Sequence, residues 1–126
     1  MQKTWYMVGR PNETYELKTP EYSYPRTTNS LGLADKEWTV LKDTNEIRII
    51  TLGDSFTEGD GADSDSSYPR ILEQLLRTEC WPAKITVMNA GKCGSDPWFE
   101  YKKLNDLLIR YMPDIVVYTN GSNDLL

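Results

Sequence analysis

The chain contains no histidine at all. A serine or cysteine nucleophile, if one exists here, therefore has no imidazole within these residues to take its proton. Cysteine is scarce, with Cys80 and Cys93 alone. Cys80 falls at the end of an expected helix and Cys93 just past the following strand, which at about 3.3 Å per residue puts them roughly 20 Å apart, too far for a disulfide. Two free thiols are expected. No apolar run approaches the roughly 20 residues that span a bilayer, and residues 1–10 lack the charged start and apolar middle of a signal peptide. A basic stripe is also missing: acidic and basic residues interleave to a net charge of −5, which argues against a nucleic-acid partner. No internal repeat or low-complexity tract occurs. With 126 residues the chain can build one small core.

Residues 1–46 hold neither helical nor strand periodicity for long and carry Pro11, Pro20 and Pro25 among Tyr6, Tyr15, Tyr22 and Tyr24. They read as an extended, wrapping segment, with a short strand at Thr14–Lys18 and a turn at Asn29–Gly32. Trp5, Trp38 and the tyrosines are expected to cover apolar surface, an aromatic ligand platform being the alternative. From Ile47 the pattern becomes strand, loop, helix, repeated, as in a parallel sheet with helical crossovers. Strands are expected at 47–52, 84–89 and 114–119, the last covered on both faces. One helix should start near Ser67, with Pro69 in its first turn and Ile71, Leu72, Leu75 and Leu76 on one face. A second should open at Ser95-Asp96-Pro97 and turn Phe99, Leu104, Leu108 and Tyr111 to the sheet, ending at Pro113.

Each strand runs into a loop rich in small polar residues: Gly53-Asp54-Ser55-Phe56-Thr57-Glu58-Gly59, then Asn89-Ala90-Gly91-Lys92-Cys93-Gly94, then Gly121-Ser122-Asn123-Asp124. Three such loops would gather at the C-terminal edge of one sheet, where open α/β sheets place their sites. Any one alone is an ordinary strand-to-helix junction. Together and in this order they resemble three of the four sequence blocks of the SGNH hydrolases, the GDSL lipase/acylhydrolase family, over residues 47–126.

The resemblance implies a three-layer α/β/α sandwich with a flavodoxin-like parallel sheet, the first core strand between the other two. It implies Ser55 as nucleophile toward small acyl esters, with acetyl groups on carbohydrate as one substrate class. The oxyanion donors implied are the amides of Ser55 and Gly94 and the side chain of Asn123. Gly53, Asp54, Asn89, Gly91, Gly121 and Asp124 are expected to shape the loops rather than transfer protons. The family's fourth block, Asp-x-x-His, has no match here. Residues 47–126 thus read as the N-terminal half of such a hydrolase, truncated after the third block and inactive or nearly so as given.

Two other readings stand beside the esterase. One is a non-catalytic binding or structural module on the same fold; the other is an anion-binding flavodoxin-like domain, although Asp54 and Glu58 would repel an anion. The acidic loop 60–65 lacks the glycine and glutamate of a calcium frame, so no metal is expected. No cofactor is implied, and no compartment is indicated. An incomplete sheet would leave an exposed edge at the last strand, and a dimer or higher oligomer through it is expected.

Overall fold

The structure, a computed structural model, describes residues 8–119. The expected α/β architecture is present. Strand β3 (Glu46–Leu52) lies between β4 (Lys84–Asn89) and β5 (Ile115–Tyr118), both parallel to it. Helix α2 (Tyr68–Glu79) connects β3 to β4, and α3 (Pro97–Lys103) connects β4 to β5 through a π-turn at Leu104–Leu108 and a 3-10 turn at Ile109–Tyr111.

Alternation along β3 sends its side chains to opposite faces. Ile50 and Leu52 pack with Met88, Leu108 and Tyr111, together with Leu33 and Trp38 from the N-terminal segment. Ile49 packs on the other face with Ile85 and Val87, against Leu72 and Leu76 of α2 and Val117. β3 and β4 are thus covered on both sides, giving three layers. Trp38, expected to cover apolar surface, is buried edge-on to Tyr111 with ring centroids 5.3 Å apart. Among the described residues, no helix is long and apolar enough to cross a membrane.

Three expectations need correction. In α2, Ile71 and Leu75 are exposed, while Leu72 and Leu76 meet the sheet. The buried stripe runs Pro69, Leu72, Glu73, Leu76, the i, i+3, i+4, i+7 spacing of one helical face, and Ile71 and Leu75 lie about 150° and 110° from its centre. In α3, Phe99 is only half-buried, and the deeply buried residues are Glu100 and Lys103. On β5, Ile115, Val116 and Tyr118 are 48%, 41% and 43% exposed, so that strand is not covered on both faces. Ser67 sits at the N-cap of α2, but its hydroxyl donates to the Ser64 carbonyl instead of accepting a helix amide.

The N-terminal segment forms the expected β1 (Thr14–Lys18) and, beyond expectation, an antiparallel β2 (Ser23–Thr27). Pro25 had concealed that strand, since proline belongs only on sheet edges; in a two-stranded ribbon each strand is an edge. Farther along, the segment helps close the outer edge of β4. Glu73 and Asp35 accept the Val87 and Asn89 amides at 2.7 and 2.8 Å, Arg77 donates to the Ile85 carbonyl at 2.7 Å, and Arg70 donates to that of Val87. Side chains here take the place of a neighbouring strand.

Candidate active site

The buried run of β3 ends at Gly53, where the chain has no room for a side chain. A Cβ there would lie 2.2 Å from Thr57 Oγ1 and 3.1 Å from the Thr119 carbonyl oxygen. Asp54 follows as N-cap, its carboxylate accepting the Phe56 amide at 3.0 Å. Ser55 opens the single helical turn α1 (Ser55–Glu58) and is half-buried, beside a Phe56 that is 76% exposed. The turn closes at Gly59 in the left-handed region (φ 91°), and the amides of Gly59 and Asp60 both reach the Ser55 carbonyl, at 3.0 and 2.9 Å.

The second loop extends the pairing of β4 with β3 past the strand end. The Ala90 amide donates to the Thr51 carbonyl at 2.9 Å and the Lys92 amide to that of Gly53 at 3.0 Å. Asn89 folds its side chain back to accept the Gly91 amide at 3.0 Å. Gly91 presses on α1 so closely that a Cβ would meet the Glu58 nitrogen at 2.4 Å. Lys92 to Ser95 then form a β-turn closed by the Ser95 amide on the Lys92 carbonyl at 3.0 Å, with Gly94 at φ 76°. Positive φ at its third residue alone marks a type II turn, which needs glycine there. The turn's hydrogen bond uses the Ser95 amide, not that of Gly94. Partial burial, followed by the charges of Glu58 and Asp60, pushes the Cys93 thiol above its ordinary range, which disfavours the thiolate.

The third loop leaves from the same edge. The Thr119 amide donates to the Leu52 carbonyl at 2.9 Å, and Tyr68 shares a 3.1 Å hydrogen bond with the Thr119 hydroxyl. Gly121, Asn123 and Asp124 lie outside the described residues. The sheet therefore brings together the loops of Ser55 and Gly94 and starts the third beside Gly53.

Several residues that organise this edge escaped the sequence reading. The guanidinium of Arg26, 1% exposed on β2, donates to the carbonyls of Glu58 at 2.9 Å and Gly59 at 3.4 Å, so the hairpin holds the end of α1. Tyr24 donates to Asp60, which engages one member of the acidic loop, and Asp63 caps the turn at Ser64–Ser66 through the Asp65 and Ser66 amides. Beneath both loops, the Lys103 ammonium donates to the Ala90 carbonyl at 2.6 Å and to Glu100 at 3.0 Å. Burial pushes the Glu100 carboxyl up and the Lys103 ammonium down, each opposed chiefly by its partner's charge. The i, i+3 spacing of Glu100 and Lys103 was the one available signal.

No protein-family model matches the sequence. An uncharacterized protein of Mycoplasma pneumoniae is 34% identical over 86 residues, which cover 68% of this chain and 10% of that protein. Among solved structures, TesA is similar with a TM-score of 0.55 at 27% identity, over 61% of this chain and 42% of its own. AlinE4, an SGNH-hydrolase family esterase, is similar with a TM-score of 0.56 at 28% identity, over 67% of this chain and 44% of its own. The chain thus spans less than half of either solved structure and about a tenth of the Mycoplasma protein.

Proposed function

We propose that this chain is a portion of an SGNH hydrolase and carries the nucleophile and oxyanion donors of a serine esterase or acylhydrolase. Ser55 Oγ attacks the carbonyl carbon of a small acyl ester, an acylated carbohydrate being the candidate class. The amides of Ser55 and Gly94 and the Asn123 carboxamide then hydrogen-bond the oxygen that becomes negative. Collapse of the tetrahedral adduct expels the alcohol and leaves an acyl-Ser55 ester for water to cleave. Gly53, Asp54, Asn89, Gly91, Gly121 and Asp124 shape the three loops. We take residues 47–126 as the N-terminal half of the hydrolase domain and residues 1–46 as a segment wrapped on it.

The observation supporting this reading most strongly is the shared edge. Lys92 N–H on the Gly53 carbonyl and Thr119 N–H on the Leu52 carbonyl draw the second and third loops to either side of the turn that presents Ser55. An anion-binding role fits less well, because Asp54 already accepts the Phe56 amide at the head of α1.

The Ser55 proton needs an acceptor, and the family supplies one from a late histidine; these residues contain none. Loss of a triad base costs on the order of 10⁶ in kcat, so the chain by itself should be close to inert. Imidazole in solution can stand in. With imidazole present, a fluorophosphonate probe should label the chain at Ser55, located by peptide mass spectrometry, and Ser55→Ala should take no label. Absence of Ser55 labelling under those conditions would favour the non-catalytic module. We further propose that copies of the chain associate through the apolar side chains of β5, Ile115 and Val116 being 48% and 41% exposed, while side chains occupy the outer edge of β4; a monomer in sedimentation equilibrium at high concentration would refute this.

A further inference from the structure

We propose that Glu58 is a positioning residue for the oxyanion pocket: one carboxylate, carried on the same helical turn as Ser55, grips the turn that contains Gly94. The inference rests on the reading of Ser55 and Gly94 as amide donors. Glu58 is 5% exposed, and both of its side-chain oxygens are engaged with the second loop, Oε2 accepting the Cys93 amide at 2.7 Å and Oε1 the Lys92 ammonium at 3.1 Å. A neutral pair would bond more weakly; the ionised acceptor makes the Cys93 contact a charge-assisted bond, and Lys92 compensates the buried charge.

The position of this grip matters for Gly94. A two-stranded ladder fixes the loop only as far as Lys92, whose amide is the last to reach β3 residues or their immediate extension at Gly53. Past that point the peptide unit joining Cys93 to Gly94 is the middle of a type II turn. Rotation of that unit converts type II into type I and reverses the direction of the Gly94 N–H. Holding the preceding amide against α1 restrains that rotation. Glu58 itself cannot drift, because its own carbonyl accepts Arg26 at 2.9 Å and its backbone nitrogen lies where a Cβ on Gly91 would be only 2.4 Å away. The two proposed backbone donors, on Ser55 and on Gly94, are thereby tied across two loops by a side chain.

Amide hydrogen exchange by NMR, cysteine alkylation by iodoacetamide and imidazole-assisted fluorophosphonate labelling test this in the same chain. In the wild type the Cys93 amide should exchange at least about tenfold more slowly than that of Gly94, the worth of one charged hydrogen bond. Glu58→Ala should remove that protection, speed Cys93 alkylation severalfold and slow Ser55 labelling about tenfold or more. Alkylation of Cys80, exposed at the far end of α2, should not change. Glu58→Gln keeps an acceptor oxygen but no charge, so it should restore Cys93 protection and most of the Ser55 labelling while Cys93 alkylation stays fast. Cys93 protection that Glu58→Ala leaves intact overturns the proposal. So does a wild-type Cys93 amide no better protected than Gly94, a result that needs no folded variant. Failure of Ser55 to label in the wild type would strike the esterase reading instead, and exchange would still report whether Glu58 holds the turn.

Discussion

Asp35 Oδ2 lies 2.8 Å from the amide nitrogen of Asn89, so the last residue of β4 finds its edge partner in a segment that precedes the whole sheet. The same carboxylate accepts the Trp38 indole N–H at 2.7 Å and pairs with Arg70 Nε at 3.1 Å. Burial pushes the Asp35 carboxyl up, and Arg70, the Asn89 amide and Trp38 pull it back. Asp35→Ala leaves two buried donors, the Asn89 amide and the Trp38 indole N–H, without their acceptor and Arg70 with a smaller share of countercharge. A loss of about 3–5 kcal/mol is expected in urea unfolding followed by tryptophan fluorescence. A loss under about 1 kcal/mol would mean that water reaches this edge readily.

Glu46 should make the fold acid-sensitive. Burial opposes its ionisation, but the Thr86 hydroxyl at 2.7 Å, the Asp43 amide at 2.9 Å and Arg48 outweigh that cost and hold its carboxyl at about 2, against an ordinary 4.5. A depressed folded-state value means that the unfolded chain takes up protons first as pH falls. The contribution is therefore complete above 4.5 and disappears as pH drops through the interval toward 2. Its size is on the order of 3 kcal/mol. Glu46→Gln should lower stability at pH 7 and flatten its pH dependence between pH 5 and 2, as read by urea midpoints at each pH. An unchanged slope would assign the acid sensitivity to other carboxylates.

How far the sequence discloses the molecule depends on whether the deciding interaction is local. The three core strands were readable because β-branched runs such as Ile47 to Leu52 have few alternatives to a buried strand. The turn glycines were readable because positive φ and close approach leave chemical signatures. Arg26, Asp35 and Glu58 were not, since each works through a partner 32 to 54 residues away, and nothing in the adjacent sequence marks it. The face of α2 shows the same limit. Four apolar residues suggested one stripe, yet the i, i+4 position expected to be apolar is Glu73, chosen for its bond to the Val87 amide. Leu72→Ala should therefore cost about 1–3 kcal/mol, and Ile71→Ala, at 47% exposure, should stay within about 0.5 kcal/mol. Equal effects in chemical denaturation would restore the original stripe.

Lys103 and Glu100 give the sharpest case of charge placed where apolar packing was expected. Lys103 is wholly buried, Glu100 is 2% exposed, and the pair supports the Ala90 carbonyl directly below the second loop. In Lys103→Met the Glu100 carboxyl loses the chief influence that keeps it from rising further, while burial still pushes it up. Its folded-state value then stands farther above its unfolded value, so the native state holds the proton more tightly and stability falls as pH rises through the folded-state value. The variant should be destabilised by about 3–5 kcal/mol at neutral pH, less at pH 5 than at pH 7.5. Adding Glu100→Gln removes the titrating group. The double variant should recover much of the loss and show the same stability at both pH values. Urea unfolding of the wild type, both single variants and the double variant closes the cycle; additive losses would show that the two charges act independently beneath the loop.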